Sequence, residues 1–153
     1  MTDMETVIGV EESGVELTQP QSIYDLFETE ESLELNGVWF DYSFGSFKLA
    51  YVGGANQSFQ RAYSERMKPY IEAEARGMLD DKIRRKIQIE CYVDHVLRNW
   101  KEVIGRDNST LVYSKPNAIK LFNDLPQLFG MIRSAATNFA NYRRIYADQV
   151  AGN

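Results

Sequence analysis

The sequence predicts a mostly helical α+β fold with one small β-hairpin near the N-terminus, and three observations lead there. Two aromatic-rich apolar runs, Val38-Trp39-Phe40-Asp41-Tyr42 and Phe47-Lys48-Leu49-Ala50-Tyr51-Val52, flank Ser43-Phe44-Gly45-Ser46. Strands joined by a short glycine-containing loop have that composition. Phe47, Leu49 and Tyr51 alternate with Lys48 and Ala50, as on a strand with one buried face. From Asn56 onward apolar residues instead recur at steps of three and four, the spacing of helix stripes. Helix-start signals punctuate these stripes: Asp80-Asp81, Ser114 with Pro116, and Asp124 with Pro126.

Residues 1–21 hold few large apolar residues, scattered Glu, Gly9, Gly14 and Pro20, and read as a flexible acidic arm. Ordered structure begins with Ile23, Tyr24, Leu26 and Phe27. A short helix is expected from near Thr29 to Asn36, with Gly37 as its stop. The hairpin spans about 37–52, and Gly53-Gly54 turns the chain into a helix over Asn56 to Arg66, with Phe59, Ala62 and Tyr63 on one side. Pro69 kinks that helix or starts a new one, and Gly77 ends the stretch. The longest helix is capped by Asp80-Asp81 and carried by Ile83, Ile87, Tyr92-Val93, Val96-Leu97 and Trp100. A loop around Gly105 and Asp107 leads through an extended Leu111-Val112-Tyr113 to a helix bearing Ile119 and Phe122. A last helix bears Leu125, Leu128-Phe129, Ile132, Ala135-Ala136, Phe139, Tyr142-Arg143 and Tyr146. The organisation is therefore one helical domain over 22–150 behind the arm.

At 153 residues the chain fits one domain that buries roughly 70% of the surface its unfolded form exposes. Its 44% hydrophobic and 25% charged content is ordinary for a folded domain. No apolar run approaches the ~18 residues of a membrane span, and no secretory signal pattern opens the chain, so neither membrane nor export is expected. The one cysteine, Cys91, cannot form an internal disulfide or build a zinc site alone, which suits a reducing cytoplasm.

Net charge of −5 conceals a division. Residues 1–47 contain eleven Asp and Glu and no Lys or Arg, whereas residues 48–153 contain seventeen bases and eleven acids. Two readings stand for the acidic arm: a solvated tail, or a segment that folds across basic surface or lends its charge to a partner.

Signals for chemistry are sparse. Cys91 and His95 share a helix face, as a nucleophile–base pair or half a metal site would. No second histidine or cysteine completes a soft site, and ordinary helix packing explains both. Asp80-Asp81 is accounted for by helix capping, and Gly53-Gly54 lacks the lysine and further glycines of a phosphate loop. No cofactor is expected. Lys82, Arg84, Arg85 and Lys86 form the densest basic cluster, either a solvated helix face or a docking site for the acidic arm; the acidic chain argues against nucleic acid. Phe139, Tyr142, Arg143 and Tyr146 lie at helical spacing, as core packing or as a partner-binding face, since tyrosine and arginine are favoured in interface cores.

A broader pattern runs from about Leu26 to Arg144. Gly37-Val38-Trp39-Phe40-Asp41-Tyr42, followed by Gly53-Gly54-Ala55-Asn56-Gln57-Ser58-Phe59-Gln60, resembles the N-terminal signature of the tail assembly chaperones of long-tailed bacteriophages. Tyr113-Ser114, Asn117-Ala118, Asp124-Leu125-Pro126, Leu128-Phe129 and Asn141-Tyr142-Arg143 resemble its C-terminal part. The resemblance implies a non-virion, non-enzymatic late protein of the host cytoplasm that keeps the tape measure protein soluble while tail tube subunits polymerise around it. It further implies contact with the major tail protein, self-association, and pairing with a longer form made by ribosomal frameshifting; a match ending near Arg144 suits the shorter form. The arm before Ser22 lies outside it. A structural or adaptor component of the tail is the alternative, and a small Cys91/His95 enzyme the third reading.

Overall fold

A computed structural model of the chain describes residues 21–147. The predicted acidic arm, but for Gln21, and the last residues of the predicted domain lie outside the described residues. The fold class is as expected: helices around one small antiparallel sheet.

Two short helices open the described chain. Ser22 caps α1 (Ile23–Phe27) by accepting from the Tyr24 amide, and α2 (Glu31–Asn36) stops at Gly37, whose φ of 96° a side chain would resist. The hairpin follows. β1 (Val38–Tyr42) pairs antiparallel with β2 (Gly45–Leu49) in a register running from Val38 opposite Leu49 to Tyr42 opposite Gly45. Phe47 and Leu49 are fully buried with Lys48 half-exposed between them, but the expected alternation stops there: β2 ends at Leu49, Ala50 is fully buried and Tyr51 only half-buried.

A third strand corrects the reading of the longest helix. That helix, α5 in chain order, begins as predicted with the Asp80 carboxylate accepting from the Lys82 amide, but it covers Asp81–His95 and ends there. Val96 caps it, and Leu97–Lys101 becomes β3 on the far edge of β2, giving the order β1-β2-β3. The register explains the misreading. Ser46, Phe47 and Lys48 face Lys101, Trp100 and Asn99, but Leu49 faces Leu97, so Arg98 is the extra residue of a bulge. In a regular strand, residues three apart point to opposite faces. The bulge restores Leu97 and Trp100 to the same buried face and so imitates a helical spacing. The displaced Arg98 turns back and donates from Nε and Nη2 to the Leu35 carbonyl at the end of α2, at 3.2 and 2.9 Å.

The helix stop is held by a buried asparagine. Asn56 Nδ2 donates to the His95 carbonyl at 2.9 Å and to the Tyr51 carbonyl at 2.8 Å, tying the end of α5 to the segment after β2. Asn56 also opens α3 (Gln57–Met67). At Pro69 the chain passes through a 3-10 turn (Lys68–Tyr70) into α4 (Ile71–Ala75), both outcomes the proline allowed. α6 (Lys115–Asp124) starts with Ser114 Oγ accepting from the Asn117 amide, and α7 (Pro126–Ala136) starts at its proline.

The core lies between the inner sheet face and α5, α6 and α7, with Phe47, Val93, Phe122 and Ile132 at its centre. A smaller cluster of Met67, Leu79, Ile87 and Cys91 joins α3 to α5. No helix among the described residues is long and apolar enough to cross a membrane.

The final predicted helix is also corrected. α7 stops at Ala136, and Phe139–Tyr142 and Arg144–Tyr146 are separate 3-10 turns. Thr137 Oγ1 donates to the Arg133 carbonyl, Asn138 Oδ1 accepts from the Ala140 amide, and Asn141 Nδ2 donates to the Ala135 carbonyl. Three short polar side chains in five residues thus take over the backbone groups that a continuing helix would use.

Candidate functional site

The two ends of the described chain lie side by side and expose several large apolar side chains. The Glu30 amide donates to the Tyr142 carbonyl at 3.0 Å and the Arg144 amide to the Glu28 carbonyl at 2.8 Å, with Thr29 and Arg143 as bridge partners. Phe27 stacks on Phe139 with ring centroids 5.6 Å apart. Around this joint, α1 buries none of its residues. Tyr24 is 70% exposed, Phe27 59% and Ile145 43%, with Ile23 and Tyr146 also exposed. Tyr24 and Ile145 line one shallow depression rimmed by Asp25, Glu28, Glu30 and Arg144. A five-residue helix with three large apolar side chains in water is not explained by packing, and exposed apolar patches of this kind mark interaction surfaces.

The candidate partner-binding residues are distributed differently from the single stripe that the sequence suggested. Tyr142 is fully buried, and its hydroxyl donates toward the Leu49 and Ala50 carbonyls at 3.1 and 3.2 Å. Burial drives its pKa far above the ordinary phenol value. Tyr142 is thus the peg that fixes the C-terminal segment to the end of β2, out of reach of any partner. Phe139, Arg143 and Tyr146 do lie at the terminal joint; the Arg143 guanidinium sits 6.0 Å from the Phe139 ring centroid, and its buried Nε has no acceptor among the described residues. In the sequence Ile23, Tyr24 and Phe27 stand out only as a return of apolar character. Their signal as surface was the isolation of a five-residue helix behind Ser22 with no second apolar stripe to pack on.

The basic cluster divides in two. Arg84 is committed internally: Nη2 meets Glu74 Oε1 at 2.7 Å and Nη1 meets Asp81 Oδ1 at 2.6 Å. Arg85 Nη2 donates to the Phe122 and Asn123 carbonyls at the C-terminal end of α6, where a helix carries partial negative charge. Lys82 and Lys86, one turn apart on α5, are exposed. With Arg85 they edge a groove between α5 and α6 floored by Ile89 and Ile119.

Cys91 is buried, its Sγ accepting from Arg66 Nη1 at 3.5 Å; burial pushes the thiol pKa up against the lowering pull of that guanidinium. Burial lowers the pKa of His95. Beside them Asp94 joins three helices, meeting Arg66 on α3 at 2.9 Å and Lys115 on α6 at 3.4 Å. Burial alone would raise its pKa, but the Arg66 and Lys115 contacts outweigh it and hold the carboxyl below its ordinary value. Among the described residues no group of three or more His, Cys, Asp or Glu is arranged to hold a metal ion.

Comparison with known proteins gives one match. The model of a family described as YdaY prophage protein matches residues 54–153, more than half of the chain. No curated protein and no solved structure matches.

Proposed function

The chain belongs to the YdaY prophage protein family, and from that premise we propose that it is a tail assembly chaperone. In this reading it covers apolar helical surface of a tape measure protein, keeps it soluble while the tail tube assembles in the host cytoplasm, and is not built into the virion. The observation that carries the reading is the exposed apolar surface where the described ends meet, with Tyr24, Phe27, Ile145 and Tyr146 around the half-buried Phe139. A long partner helix with an apolar face needs such a surface, because helix-in-groove recognition rests on apolar anchors at helical spacing. The acidic rim of Asp25, Glu28 and Glu30 adds charge that keeps the assembly dispersed. The order of Gly37 to Tyr42, Gly53 to Gln60 and Tyr113 to Arg143 supports the tail assembly role over other prophage roles.

We read the chain as a binding protein and not an enzyme. Cys91 has no exposed face from which to attack a substrate, and its raised pKa disfavours the thiolate.

The test is co-expression with the tape measure protein of the same prophage. The partner should stay soluble and co-purify, and Tyr24→Asp with Phe27→Asp should weaken capture by more than about tenfold while the circular dichroism of the chain is unchanged. A tape measure protein that precipitates equally with and without this chain overturns the proposal. So does finding the chain in purified virions at fixed copy number, which would make it a structural tail component.

A further inference from the structure

We propose that the groove between α5 and α6 is the seat of the chain's own acidic N-terminal segment, residues 1–20. Its chemistry is matched in sign and in character. The segment carries Asp3, Glu5, Glu11, Glu12 and Glu16 and no Lys or Arg, with Val7, Ile8, Val10, Val15 and Leu17 among them. The groove has an apolar floor, half-buried Ile119 with the fully buried Ile89 beneath it, and a basic edge of Lys82, Arg85 and Lys86.

Those three bases are among the ones left over when the ion pairs of the surface are assigned. Arg84, from the same turn, is bound by Glu74 and Asp81, whereas no carboxylate lies within 4.0 Å of Lys82, Arg85 or Lys86 among the described residues. Arg85 uses Nη2 on the end of α6 and keeps Nε and Nη1 as donors. The carboxylates nearest in the chain do not cancel the edge: Asp80 caps α5 and Asp81 holds Arg84, which leaves Glu90 as the acid within the groove.

Reach does not limit the contact. A folded body of the described length is about 36 Å across, and twenty extended residues span up to about 66 Å. Apolar contact with the floor combined with charge at the edge also selects this groove over the outer face of the sheet. There Lys101 already lies 4.4 Å from the Trp39 ring centroid.

The experiment uses the full chain and a carbodiimide, which joins a carboxylate to an amine only when the two touch. A mixture of isotope-labelled and unlabelled chains separates links within one molecule from links between two. Links from Glu11, Glu12 or Glu16 to Lys82 and Lys86 within one molecule are expected, falling as salt rises from roughly 0.05 to 0.5 M, where screening shortens the range of charge. In a second measurement, a glutamate-specific protease should cleave after Glu11, Glu12 and Glu16 about fivefold faster in the Lys82→Glu/Lys86→Glu variant than in the parent, the worth of a few surface ion pairs. Both lysines are exposed, so the variant keeps its fold. Three results overturn the proposal: links spread evenly over Lys48, Lys68, Lys101, Lys115 and Lys120, links only between molecules, or cleavage at equal rates.

Discussion

Replacing Gly54 by alanine should destabilise this protein through two separable effects, one in the backbone and one at the Glu34 side chain. Gly54 takes φ of 55° in the turn after the hairpin, where a residue with a Cβ loses about 1–2 kcal/mol. The new methyl would also overlap the Glu34 carboxylate, which is buried over the turn and accepts the Ala55 amide at 3.2 Å. Moving it gives up a hydrogen bond to a charged group, about 1.5–3 kcal/mol. Together the change should cost roughly 3–5 kcal/mol, a shift in urea midpoint of about 2 M at the slope usual for a chain of this size. A double-mutant cycle separates the two parts. In a Glu34→Ala background the overlap is gone, and Gly54→Ala should cost only the 1–2 kcal/mol of its backbone. Equal costs in both backgrounds, or a cost under about 1 kcal/mol in the parent, would show that Glu34 does not sit over the turn as described.

Four further outcomes follow from the same geometry. Tyr142→Phe should lower stability by about 1–2 kcal/mol by urea titration, because the Leu49 and Ala50 carbonyls lose a buried donor, and it should leave partner capture intact. Cys91 should react with iodoacetamide roughly a hundredfold more slowly in the native protein than in urea. Because its native pKa is raised, its contribution is present below the ordinary thiol value and lost as pH rises; the fall in urea midpoint above about pH 9 should be shallower in Cys91→Ala. Asp94 has the opposite sign. Its native pKa is lowered, so its contribution is present above the ordinary aspartate value and lost as pH falls through the native one; Asp94→Asn should flatten the loss of stability below about pH 4.

The sequence was legible wherever local chemistry decides the structure. Asp80, Ser114 and Gly37 cap or stop helices because a side-chain oxygen or a missing Cβ acts within three residues of itself. It misled where distant groups decide. Val96-Leu97 and Trp100 continue a helical spacing, yet Asn56 holds the His95 carbonyl from 39 residues away and β2 offers its edge to the next five residues. No pattern within 96–100 announces the bulge at Arg98. The stripe from Phe139 to Tyr146 failed similarly. Tyr142 belongs to the core because Leu49 and Ala50 lie across from it, which only the closed fold brings about. For the candidate site, the individual aromatics of both ends were visible, but their meeting was not, since it joins residues more than a hundred positions apart.

That meeting has a bearing on the order of events during synthesis. The Glu28 carbonyl pairs with the Arg144 amide and the Glu30 amide with the Tyr142 carbonyl, so a growing polypeptide cannot complete this joint until residues 142–144 have left the ribosome. Closing so large a loop comes late and carries a high entropic cost, which makes the seam the last part to form and the first to open. A nascent copy therefore emerges with Phe27 unmatched until the segment carrying Phe139 has followed it.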